Sequence, residues 1–96
     1  MTQLAFTQED RLFDGACVRF EGRDHGRTVR CGVTIYALKH HQPDLPSEGL
    51  LPGELFLEAY DRLAAEIHHV ARRKYEAGDF ETCGPVEVMV HDHDFI

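Results

Sequence analysis

Glu54 to Ala77, ELFLEAYDRLAAEIHHVARRKYEA, runs without a Gly or a Pro and decides the architecture. At about 100° per residue, Phe56, Ala59, Tyr60, Leu63, Ile67, Val70 and Ala71 fall on one side. Glu58, Arg62, Glu66, His69 and Arg73 fall on the other. The pattern predicts one long amphipathic helix with its apolar stripe against a core, ended by Gly78 as a left-handed cap. At 1.5 Å per residue such a helix spans about 36 Å and crosses most of a small sheet.

Working outward, 96 residues with 43% hydrophobic content supply one domain with one modest core. The net charge of −7 argues against nucleic-acid binding, which needs clustered cations to release counterions. The one basic run, Arg72-Arg73-Lys74, sits in the last turn of the long helix, where the C-terminal end of the macrodipole favours it. No apolar run approaches a bilayer span and no secretory leader opens the chain, so a cytoplasmic protein without a membrane partner is expected. Cys17, Cys31 and Cys83 include no C-x-x-C pair and fit reduced thiols better than a disulfide framework or a zinc knuckle.

Upstream of the helix, Gln3–Thr7 reads as a short strand with Leu4 and Phe6 on one face, and the segment around Leu12 and Phe13 as a loop or a helical turn. Ala16–Glu21 and Arg27–Val33 flank GRDHG and read as a β-hairpin. Sharing one apolar face requires opposing Phe20 with Val29, Val18 with Cys31 and Ala16 with Val33, because a one-residue slip would turn one set to solvent. Cys31 then faces the helix while Cys17 points away and is the more exposed thiol. Thr34 caps a short helix, IYALKHH, and the Pro- and Gly-rich stretch from His41 to Gly53 is a loop pinned by Leu45, Leu50 and Leu51. Val86, Val88 and Val90 alternate as the apolar face of a last strand. The expectation is an α+β fold: a small antiparallel sheet of three or four strands, the hairpin plus the C-terminal strand, with one short and one long helix on one face.

These segments also carry a resemblance. FDGACVRFEG, VRCGVTIYAL and LFLEAYDRLAAEIHHVARRKYEAG together resemble the small bacterial family catalogued as domain of unknown function 1488. The features are V-x-C-x-V-T running into A-L, and Tyr60 followed by Ile67 and A-R-R-K-Y on the long helix, over roughly Leu4 to Val90. Tyr36 stands where an acidic residue before A-L would complete the helix cap. The resemblance implies a compact α+β protein with unassigned activity and transfers no catalytic residues.

Candidate chemistry is sparse. His91 and His93 in HDHD, if the last strand continues through them, project from one face about 6.5 to 7 Å apart, a spacing that can chelate zinc or another transition metal. A solvated strand end explains the same residues. His68 and His69 are about 100° apart on the helix beside Arg72 and Arg73, a poor setting for a cation, and His40 and His41 suit the carbonyl end of the short helix. Neither cysteine has an activating partner, and Ser47, the sole serine, stands in the proline-rich loop. The expected function is a non-enzymatic binding or interaction module with an unidentified protein partner, self-associating as a homodimer through Val86–Val90, a neighbouring loop or the uncovered sheet face. The alternative is a metal-binding protein or metal-dependent enzyme using His91 and His93; no other cofactor is expected.

Overall fold

The structure, a computed structural model, describes residues 4–6, 11–46, 52–81 and 86–95. Five strands form one sheet: β1 (Ala5–Phe6), β2 (Leu12–Phe13), β3 (Cys17–Asp24), β4 (Arg27–Thr34) and β5 (Val88–Val90). Two helices, α1 (Ile35–His41) and α2 (Gly53–Ala77), pack on one side of it, and a 3-10 turn (Asp92–Phe95) follows β5. The α+β class and the two layers agree with the sequence reading.

Helix α2 buries Phe56, Ala59, Tyr60, Ala64, Ile67, Val70, Ala71 and Tyr75, close to the face that the helical period selects, but Leu63 of the expected stripe is only half-buried at its border. Gly78 adopts φ 72, and the bonds Gly78 N–H to Tyr75 O (3.1 Å) and Asp79 N–H to Lys74 O (2.9 Å) close the last turn. Its roughly 37 Å length nearly matches the 40 Å long axis of the molecule. Thr34 caps α1 by accepting from the Ala37 N–H at 3.0 Å. Leu45 is buried at the start of the following loop; Leu50 and Leu51 lie outside the described residues, as does Cys83.

The hairpin register differs from the expected one by two residues. Phe20 opposes Cys31, Val18 opposes Val33, and Gly22 opposes Val29. The strands continue through Gly22, Arg23 and Asp24 and turn on His25 and Gly26 alone, both at positive φ (50 and 88), as a type I′ turn requires. A shift of two keeps every side chain on its face, so the apolar set still points at α2. Gly22 sits under Leu4, whose Cδ1 would lie 2.8 Å from a Cβ at that position.

Two further corrections concern strand pairing. Leu12 and Phe13, expected in a loop or helical turn, pair with Arg19 and Val18. Ala5 and Phe6 pair with Arg23 and Gly22, so β1 and β2 are two pieces along the same edge of β3. Two-residue strands are too short to show a period; non-local pairing, with Phe13 stacked on Phe56 at 4.9 Å between centroids, holds this one. The sheet is mixed rather than antiparallel. β5 runs parallel to β4, in the order β1-β3-β4-β5 with β2 beside β3, because α1 turns at the end of β4 and α2 carries the chain back along the sheet.

The core joins Val18, Phe20, Val29, Cys31, Val33, Val88 and Val90 from the sheet to the α2 stripe and to Ile35, Ala37 and Leu38 of α1. Among the described residues no helix is long and apolar enough to cross a membrane.

Candidate functional site

The C-terminal histidines do not continue a strand. Asp94 Oδ2 accepts from the His91 N–H at 2.8 Å and folds the segment into the 3-10 turn. The imidazoles of His91 and His93 stack nearly parallel, 5.2 Å between centroids, and His91 Nε2 lies 2.7 Å from Glu81 Oε1. Among the described residues, no group of three or more His, Cys, Asp or Glu side chains is arranged to hold a metal ion. The same turn is clamped to α2: Lys74 Nζ donates to Asp94 Oδ2 (2.8 Å) and to Met89 O (2.7 Å). Burial raises the Asp94 carboxyl, but Lys74 and the His91 N–H outweigh it and hold the group below the usual range. A cleft of about 460 Å³ lies here, lined by Val70, Arg73, Lys74, Glu76, Asp79 and Asp94, yet its lysine is already committed to structure.

Among the described residues, the thiols of Cys17 and Cys31 are held in the neutral form. Cys31 is fully buried and burial pushes it up to about 12; Cys17 is pushed up to about 11 by burial and the Asp14 carboxylate. Cys17 is the more exposed of the two, as expected, but at 3% against 0% it too is buried. On the helix-free face it lies beneath the turn where Asp14 Oδ1 accepts from the Ala16 and Cys17 N–H groups, both at 2.9 Å. Both cysteines are free, and they do not face each other, as the sequence reading requires.

Sequence reasoning missed His68. Its Nε2 lies 2.6 Å from Tyr60 Oη, and Phe6 stacks on the ring at 4.2 Å. Burial, then the neighbouring Arg72 charge, lowers its pKa to about 4, so the imidazole is neutral at physiological pH. Arg72 lies over Phe6 and donates to Leu4 O at 3.1 Å, which ties β1 to α2. The signal available was spacing: Tyr60 and His68 are two turns apart on one helical face. With the tyrosine hydroxyl also pushed up by burial, the fully buried Tyr60 and the half-buried His68 form a hydrogen-bonded pair at the edge of the core.

The helix-free face of the sheet is different in kind. Leu12, Arg19, Glu21, Arg23, Thr28, Arg30, Glu87 and Met89 alternate onto it with the inward-facing residues. Leu12, Arg19, Glu21, Arg30 and Val86 line a concavity of about 240 Å³. Leu12 is 59% exposed. Val86, expected to share the inward face of Val88 and Val90, is buried at 5% exposure in this wall, apart from the main cluster that joins the sheet to the helices.

The family model described as protein of unknown function DUF1488 matches residues 5–88. The chain belongs to the DUF1488 family. Its fold is also similar to the crystal structure of a protein of unknown function from the same family from Shewanella loihica PV-4, at 20% identity, covering 91% of this chain and 90% of that one with a TM-score of 0.75. A comparison with curated proteins found no match. The DUF1488 assignment fixes the architecture and supplies no ligand or reaction. For this DUF1488 chain, the ion-paired cleft and the Tyr60–His68 pair stabilise the fold, whereas the helix-free face combines an exposed apolar residue with Glu21 and Arg30, whose side chains have no ion-pair partner among the described residues.

Proposed function

We propose that the chain is a non-enzymatic interaction module that docks through the helix-free face of its sheet, with a second copy of itself as the first partner. One observation carries this reading: Leu12 stands 59% exposed beside a concavity walled by Val86 and flanked by Arg19 and Arg30, and no helix among the described residues covers it. An apolar centre with a polar rim is the composition of a docking surface. The poor reactivity of both described thiols and the burial of the Tyr60–His68 pair give no support to nucleophilic or acid–base catalysis.

The contact proposed from the sequence, through Val86–Val90, moves from the strand edge to this face. Around β5 the Glu87 carbonyl accepts from the Glu81 N–H (2.8 Å) and the Met89 carbonyl from Lys74, and a three-residue edge with occupied neighbours is a poor template for pairing. Val86 contributes from the concavity instead. Light scattering of the full chain at micromolar concentration is expected to show twice the 11.0 kDa monomer mass, and Leu12→Asp, which leaves the core untouched, to return the monomer. A dimer indifferent to Leu12→Asp would remove this face from the contact.

A transition metal at His91 and His93 is the competing proposal. It requires the stacked rings to turn until their nitrogens converge and His91 to leave Glu81. Stoichiometric zinc in protein purified without a nickel column would establish it.

A further inference from the structure

The central hairpin carries an ion pair that the chain does not make with itself. Glu21 and Arg30 are directly opposed across β3 and β4 on the helix-free face. Cβ atoms so placed are about 4.5 to 5.5 Å apart, well within reach of a salt bridge. Neither side chain has a hydrogen-bond or ion-pair partner among the described residues, whereas their neighbours are engaged: Arg19 with Asp14 at 2.7 Å and Arg27 with Glu87 at 3.4 Å. Both line the concavity beside Leu12.

From this we infer that two copies pack sheet to sheet about a two-fold axis passing between these residues, so that Glu21 of each meets Arg30 of the other. The inference rests on the docking reading above and names its specificity device. A two-fold contact needs a self-complementary patch, in which a residue meets its counterpart reciprocally; one acid and one base, adjacent and unengaged, satisfy that about an axis between them. Leu12 supplies the exposed apolar part of the contact, beside the concavity that Val86 walls, and the charges fix its register. Neither sheet edge competes well: β1 and β2 are two-residue pieces, and β5 has three residues.

Charge reversal tests the geometry. Glu21→Arg places two like-charged pairs across the axis and Arg30→Glu does the same with the opposite sign, so each variant alone is expected to dimerise about a hundredfold more weakly in sedimentation velocity. The double variant Glu21→Arg/Arg30→Glu restores the dimer with its polarity exchanged. An equimolar mixture of the two single variants gives a heterodimer, because one then carries two arginines and the other two glutamates. Circular dichroism of each single variant keeps misfolding apart from dissociation. A wild-type dimer insensitive to both reversals overturns the inference and leaves the docking module standing. A monomeric wild type overturns the self-contact; if that monomer binds polyglutamate and Arg30→Glu does not, the same face belongs to an acidic partner.

Discussion

The two faces of the sheet are built from alternating residues of the same strands and have opposite fates. Phe20 is 1% exposed against α2, while its neighbour Arg19 turns to the far side and bonds Asp14 across a partly open surface. On β4, Val29, Cys31 and Val33 are fully buried, and the Arg30 side chain between them is exposed without a partner among the described residues. The inner face holds the fold together. Arg30 and Glu21 on the outer face are not part of that core, so recognition can be placed on them without disturbing it. The sharpest way to break the contrast is to truncate these neighbours. Phe20→Ala is expected to cost about 3 to 5 kcal/mol, because the ring packs on Tyr60 at 5.2 Å and on Phe6 at 5.7 Å and its loss leaves a cavity. Arg19→Ala removes a partly exposed ion pair and should cost about 1 kcal/mol or less. Equal losses in urea denaturation would mean that the outer face also stabilises the fold.

What was legible in the sequence follows the same division. Helix α2, its buried stripe and its Gly78 cap were readable because a 3.6-residue period sustained over many turns is a local signal. So was the facing of each hairpin residue, since a strand's period of two survives the even register shift. The parallel β5 was not, because strand direction is set by how far α1 and α2 carry the chain, which no local pattern records. Leu12 and Phe13 were hidden by the brevity of β2. The proposed docking surface was visible only as a list of mixed polar residues on the uncovered face. Its concavity, the exposure of Leu12 and the failure of Glu21 and Arg30 to pair depend on placement in three dimensions.

His68 gives the next test, on the inner face. Its pKa is about 4 in the fold against 6.5 as an ordinary histidine, so between these values the unfolded chain binds more protons than the folded one. The contribution is therefore complete above about pH 6.5 and is lost as pH falls through that window towards 4. On the order of 2 to 3 kcal/mol is at stake, at about 1.4 kcal/mol for each pH unit of displacement. Protonation would place a cation beside Tyr60 and Arg72, with no carboxylate paired to the ring among the described residues. Carboxylates titrate in the same range, so the measurement is a difference: urea denaturation of wild type and His68→Gln from pH 7 to 4. The wild type is expected to lose its advantage over the variant across that span. Parallel curves would show that the ring is accessible to solvent in the native state.

The smallest effect belongs to the turn that sets which residues meet. His25 has φ 50 and Gly26 φ 88, and a non-glycine residue with positive φ is strained unless its side chain tolerates the left-handed region. Asn tolerates it well, and Asn-Gly is among the preferred pairs for a two-residue type I′ turn. The His25 side chain is 73% exposed, with only a 3.7 Å approach to Asp24, so its replacement removes no packing. His25→Asn is therefore expected to stabilise the chain by a few tenths to about 1 kcal/mol, read as a higher urea midpoint with an unchanged slope. The gain depends on a two-residue turn. In the GRDHG loop expected from the sequence, the strands stop at Glu21 and Arg27 and His25 has no need of a left-handed backbone, so the substitution would be neutral. A neutral result would thus favour the alternative register, in which Phe20 opposes Val29 and Glu21 no longer stands across from Arg30. Glu21 and Arg30, on which the proposed contact turns, stand opposite each other only because the turn is this tight.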